Sequence, residues 1–289
     1  MTRRDILSLA PAGAITAWAG APSGGGKPLL RSAICAYSYR EQLAKKVMTY
    51  EDVVRMCVET GADGLDCTVY WMPPDPPDDF LFSLKNFAYR QGVSIYSIAI
   101  RTDMCRPPGE LREKELAGVR KWVDAAQKLG AIHIRVFGGA VPKGSTEDQA
   151  AQWASETLKQ AVDYSSKKGI ILGLENHGGI TDKAERIVQI VKAANSPWAG
   201  INLDTGNFRS DIWRQIEMCI PHAVNVQVKI DQVQEDGKRG PGDWERVVKM
   251  LIKGGYHGFL ALEYEGKSAV EEVPAYMRKL TALVRQYSA

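Results

Sequence analysis

One phrase recurs along this chain: an amphipathic stretch, then a glycine, then a short apolar run. It is found at Gly61, Gly92, Gly130, Gly169 and Gly255. In YEDVVRMCVETG and ELAGVRKWVDAAQKLG the apolar residues return every three or four positions and stop at glycine, as helices read and end. Eight strand-like runs accompany these stretches: 32–39, 63–69, 93–100, 131–139, 170–178, 200–207, 223–230 and 259–266. Strands alternating with helices predict a parallel sheet, because each parallel return needs a crossover. Eight such units predict closure into a (β/α)₈ TIM barrel. An open doubly wound sheet is the alternative, but no G-x-G-x-x-G follows the first run. A chain of 289 residues suits one barrel domain, here set at 31–289.

The first residues read as a targeting segment. Arg3 and Arg4 precede a short, weakly apolar stretch, and Ala17, Ala19 and Ala21 offer small-residue cleavage sites. This resembles a twin-arginine signal over 1–21, which predicts export to the periplasm, with cytoplasmic location as the alternative. Gly24–Gly26 lie in a flexible linker set at 22–30. Five cysteines without a C-x-x-C argue against a full disulfide framework. A net charge of +3 with interspersed signs leaves no footprint for nucleic acid. No apolar run in the mature body is long enough to span a membrane.

Four of the C-terminal runs end on a side chain able to hold a metal ion. ILGLENHGG carries Glu175, GINLDTGNF carries Asp204, VNVQVKID carries Gln227 and FLALEYEG carries Glu263. Consecutive donors are separated by roughly one strand–helix–strand unit, so all four fall at the same end of a barrel, where catalysis is found. Carboxylates facing one another repel unless a cation lies between them. Hard oxygen donors suit Mn²⁺ first, with Mg²⁺ or Co²⁺ as alternatives.

With these motifs in hand, the chain resembles the xylose isomerase-like TIM-barrel superfamily, and within it the sugar phosphate isomerase/epimerase family. The resemblance covers most of the chain after about residue 30. It implies Glu, Asp, His and Glu as ligands of one divalent ion; Glu175, Asp204 and Glu263 match, whereas Gln227 replaces His, as in the hydroxypyruvate isomerase branch. It also implies that Glu175 and Glu263 act on opposite sides of a bound carbon, one removing a proton and the other returning one. Asn207 replaces a substrate-binding His. GKRGPGDW loosely matches a Gly-rich loop over the substrate. Endonuclease IV shares the barrel but uses a histidine-rich multi-metal site, and this chain has four His in total.

Other residues are candidates for substrate contact. His177 and Lys229 lie two positions after Glu175 and Gln227, on the same strand face. Either could bind a substrate oxygen; Lys229 could equally pair with Asp204, Asp231 or Glu263. Asp66 and Arg135 face the barrel in the expected register, as polyol contacts or as a structural ion pair. Trp71 lies on a Pro-rich loop where it could stack on a sugar or simply pack, and Tyr37 and Tyr39 are open in the same way.

The expected function is a metal-dependent sugar or keto-sugar isomerase or epimerase. It would abstract a proton next to a carbonyl and pass through a metal-stabilised enediolate. A lyase expelling a β-leaving group from a 3-keto-glycoside or keto-inositol is the alternative. A carbohydrate-binding barrel without catalysis is the alternative of another class. A small carbohydrate is the expected partner, and a homo-oligomer is compatible with the sequence.

Overall fold

The structure, a computed structural model, describes residues 29–288. The signal segment and nearly all of the linker expected from the sequence lie outside the described residues.

Eight parallel strands close into a barrel. They are β1 (Leu30–Cys35), β2 (Gly64–Thr68), β3 (Ser94–Ala99), β4 (His133–Phe137), β5 (Ile171–Glu175), β6 (Ala199–Asp204), β7 (Ala223–Lys229) and β10 (Gly258–Glu263). Sequential neighbours pair throughout, and β10 closes the circle against β1. A two-stranded antiparallel ribbon, β8 (Asp231–Val233) with β9 (Arg239–Pro241), leaves the top of β7.

The recurring glycines are where the helices stop. Gly61, Gly92, Gly130, Gly169 and Gly255 all adopt positive φ, a conformation that costs glycine little and other residues more. Helix starts are equally local: Thr49 and Asp52 form a capping box ahead of Tyr50–Thr60, and Thr146 and Gln149 do so ahead of Glu147–Ser165.

The observed strands are shorter than the sequence runs, mostly at their C-terminal ends. Tyr37 and Tyr39 lie in a 3₁₀ turn (Ala36–Tyr39) after β1, and Tyr70 and Trp71 in another (Val69–Trp71) after β2. The motif residues after Glu175, Asp204 and Glu263 are likewise loop. Apolar character continues past the last ladder bond because the barrel mouth still buries it. The β8–β9 ribbon was not anticipated, since GKRGPGDW reads as loop by composition.

Strand residues alternate between two environments. Ile34, Leu65, Ile134, Leu172, Ile201, Val226 and Leu260 pack outward in the large core beneath the helices. The lumen holds only a small apolar cluster of Ala33, Cys35, Tyr96 and Ala261, with Phe259 stacked on Tyr96 at 3.7 Å. Its remaining space is polar. Tyr96 Oη donates to Asn225 Oδ1 (3.0 Å), Asn225 Nδ2 donates to Asn202 Oδ1 (2.8 Å), and Asn202 Nδ2 donates to Gln227 Oε1 (2.6 Å). His133 fits because Gly173 faces it: a Cβ there would lie 2.3 Å from His133 Nε2. All five cysteines are free and buried, in keeping with the absence of a disulfide pattern. No helix among the described residues is long and apolar enough to cross a membrane.

His133 yields a pH prediction. Burial, reinforced by Arg135, lowers its pKa from 6.5 to about 3. The fold therefore holds the neutral ring, and its contribution to stability is complete above pH about 6.5 and lost as pH falls toward 3. His133→Asn should flatten the acid side of the stability curve by up to about 1.4 kcal/mol per pH unit in that window. Urea unfolding from pH 3.5 to 7.5 measures it, and equal slopes in the two proteins would refute it.

Candidate active site

The carboxylates singled out in the sequence end adjacent strands at one mouth. Glu175 ends β5, Asp204 ends β6 and Glu263 ends β10, while Gln227 and Lys229 lie on β7 between the last two. Register sets their heights: Gln227 pairs with Asp204 and Ala261, and Lys229 pairs with Glu263. Gln227 is thus a step below Glu263, and Lys229 stands level with it.

Two cations hold this ring. Arg135 Nε lies 2.9 Å from Glu175 Oε2, both side chains being almost fully buried. Lys229 Nζ lies 3.6 Å from Asp204 Oδ2, 3.6 Å from Glu263 Oε1 and 2.8 Å from Glu265 Oε2. Burial works against both charges, but the surrounding carboxylates outweigh it and raise both pKa values. Burial also raises Glu175 well above the usual carboxylate range, against the pull of Arg135 and with Glu263 and Asp204 adding to the rise. Asp204 is pushed up to about 7 by burial, with Lys229 opposing and Glu263 adding. Too many negative groups face too few positive ones.

Hydrogen bonds fix the ring unevenly. Asn176 clamps the Asp204 backbone, its amide accepting from the N–H and donating to the carbonyl, each at 2.8 Å. Asp204 Oδ1 accepts from Gly206 N at 2.8 Å, but its buried Oδ2 has no hydrogen-bond partner. Both oxygens of Glu175 are engaged: Asn207 Nδ2 reaches Oε1 at 3.2 Å, and Asn202 approaches Oε2 at 3.5 Å beside Arg135. Glu263, 8% exposed, has only the long contact to Lys229.

Charge and the unpartnered Asp204 oxygen fit a divalent ion held by Glu175, Asp204 and Glu263. The fourth expected donor is less ready. Gln227 Oε1 already accepts from Asn202, and its Nε2 reaches Cys35 Sγ at 3.5 Å. Among the described residues, no three His, Cys, Asp or Glu stand at metal-binding spacing. Arg135 and Lys229 lie against the carboxylates instead.

The other candidates divide. Asn207 reaches the ring, as above. His177 is exposed at the mouth and packs against Phe137, ring centroids 4.2 Å apart and tilted by 38°. Asp66 is fully buried below the mouth, 3.5 Å from Asn225 Nδ2, and burial raises its pKa to about 6; it belongs to the lumen and has no surface to offer a substrate. Arg135 likewise acts inside, donating to Tyr70 Oη at 2.9 Å and to the Ile100 carbonyl at 3.0 Å. Trp71 is half-buried against Tyr37 (6.1 Å) and Tyr70 (5.8 Å), a packed aromatic trio on the rim, with Arg101 over Tyr70 at 4.3 Å. Tyr39 is buried on the helix side.

Sequence reading missed Asn202, Asn225, Tyr70 and Glu265. Period two was the available signal: Asn202 precedes Asp204 by two, Asn225 precedes Gln227 by two, and Glu265 follows Glu263 by two. The ribbon closes the same side, where Arg239 Nη1 donates to the Gly206 carbonyl (3.2 Å) and Trp244 Nε1 to the Lys229 carbonyl (2.8 Å).

Comparison with known proteins agrees with this architecture. A crystal structure of D-psicose 3-epimerase in the presence of D-fructose superposes with a TM-score of 0.73, at 15% identity, over 89% of this chain and 99% of that one. The IOLI protein with a bound zinc atom superposes at 0.71, with 13% identity, over 90% and 99%. At such identities the likeness is one of fold. A probable endonuclease 4 from Haloarcula marismortui is 31% identical over 111 residues, 38% of this chain and only 39% of that protein. The model of the xylose isomerase-like TIM barrel matches residues 54–285, and the chain belongs to that family.

Proposed function

We propose that this barrel is a divalent-cation-dependent isomerase or epimerase of a small sugar or keto-sugar. The observation that carries the reading is the ring of Glu175, Asp204 and Glu263 at one mouth, carrying more negative charge than Arg135 and Lys229 balance. Glu175, Asp204 and Glu263 would hold the ion, with Gln227 as a fourth donor once its amide leaves Asn202. Mn²⁺ is the preferred ion on ligand hardness. When bound, it would polarise a substrate carbonyl and hydroxyl.

The two glutamates then differ in what they can do. Glu263 is the least buried of the three carboxylates and has no short hydrogen bond, so it is the better base for a proton on carbon. Glu175 has both oxygens engaged, so it holds its position and can carry and return a proton only once Asn207 or Arg135 releases one of its carboxyl oxygens. His177 stands at the same mouth to contact a substrate oxygen, and the Tyr37–Tyr70–Trp71 rim offers aromatic faces to a sugar ring. Return of a proton to the same carbon from the opposite face epimerises; return to the neighbouring carbon isomerises.

Nuclease chemistry of the endonuclease IV kind has little support from the histidines. His133 is buried in the lumen, and His222 and His257 precede β7 and β10 at the opposite end of the barrel. Only His177 reaches the mouth.

Ketohexoses and 3-keto-glycosides incubated with Mn²⁺-loaded protein in D₂O test the reaction class. Deuterium at one carbon of a recovered sugar is expected by NMR; an unsaturated ketone with release of the aglycone alcohol from a 3-keto-glycoside would favour the lyase, and no exchange with any substrate would count against both. Glu263→Gln should lower the exchange rate by about 10²-fold or more, the ordinary worth of a general base. It should weaken Mn²⁺ binding far less, since the amide oxygen still donates. Near wild-type exchange in that variant would remove Glu263 from the role. Chelation should lower the melting temperature, and Mn²⁺ at about 100 times its Kd should restore roughly 2.7 kcal/mol. A melting temperature indifferent to both would argue against the ion.

A further inference from the structure

The ring already contains a cation of its own. Lys229 Nζ is surrounded by three carboxylates, but the three contacts are unequal. Only Glu265 Oε2, at 2.8 Å, is within hydrogen-bonding distance; Asp204 and Glu263 are each 3.6 Å away. The inner pair is therefore neutralised through space while the ammonium is tethered to the outer carboxylate. The Glu265 side chain is 45% exposed, whereas that of Lys229 is 6% exposed. A path outward exists along that tether. Gly206 leaves room for the lysine stem, since a Cβ there would lie 2.8 Å from Lys229 Cβ and 2.9 Å from its Cδ.

We propose that Lys229 is a resident counter-ion that a divalent cation must displace, with Glu265 receiving the ammonium as it swings outward. The inference rests on the reading that this ring takes such a cation. Its physical basis is exclusion: a divalent ion needs carboxylate oxygens at about 2.0–2.2 Å, and an ammonium cannot share that position without strong like-charge repulsion. Where it stands, the lysine keeps two buried carboxylates from facing each other uncompensated. Gln227 is two residues away on the same strand face, so outward movement of Lys229 also clears the space above the fourth donor.

The test uses the full-length protein, stripped with chelator, and Mg²⁺ or Mn²⁺ alone as the probe. Acetic anhydride labelling followed by peptide mass spectrometry reads the accessibility of the Lys229 amine. We expect slow labelling without the ion and about tenfold faster labelling at saturating Mg²⁺, within the ordinary range for coupled binding events. Calorimetry should show Lys229→Met binding Mn²⁺ about tenfold more tightly than wild type. If the variant fails to fold, the labelling of wild-type protein decides alone. Ion binding with unchanged Lys229 labelling overturns the displacement and leaves the cation reading standing. Failure of the wild-type protein to bind either ion removes the cation reading, and the displacement with it.

Discussion

Buried like charges are the constraint around which this barrel mouth is organised. Asp204 has no exposed surface, and Glu175 and Glu263 very little, although each needs compensation to remain ionised away from water. The fold answers with two cations of different character. Arg135 forms a fixed, fully buried pair with Glu175 and is itself held by Tyr70 and the Ile100 carbonyl. Lys229 is a single point charge on a flexible stem, shared among three carboxylates. One half of the ring is tied by a short pair, and the other by two longer contacts and an outer tether.

The floor beneath the ring explains why the acids stay where they are. Barrel interiors are commonly filled by branched apolar residues in layers. Here the middle layer is a chain of amides and a phenol, running from Tyr96 through Asn225 and Asn202 to Gln227. Each member spends its donors on the next, so every partner constrains its neighbour's rotamer. Asn202 links this layer to Glu175, and Asn176 fixes the backbone of Asp204 from the side. Such a floor sets donor positions more firmly than apolar packing, because a rotated amide would leave buried polar atoms unpaired.

The partial likeness to a probable endonuclease 4 and the whole-chain likeness to a D-psicose 3-epimerase are compatible. Both follow from a shared barrel on which the mouth residues differ, and chemistry is carried by those residues. In this chain the mouth combines carboxylates over β5, β6 and β10 with an aromatic rim over β1 and β2.

The fold was legible because it depends on periodicity and on stop signals, both of which are local. The helix–glycine–strand phrase marked where the chain turned, and all five glycines do adopt the left-handed conformation. The strand-end acids were legible for a related reason: position along a parallel strand sets height in the barrel, so Glu175, Asp204 and Glu263 had to meet at one face. What each acid would touch was not legible. The choice between Lys229 as substrate contact and as ion-pair partner turned on distances across three strands. The place of Asp66 in the lumen turned on the register of β2, which runs unbroken against β1 but shifts by a residue against β3 at Leu65/Asp66. That Gln227 also gives its side-chain oxygen to Asn202 was not legible either. A sequence specifies which groups can carry charge and on which strand face they lie. Only the closed barrel decides which groups share one low-dielectric space, because their interaction falls with distance between residues far apart in the chain.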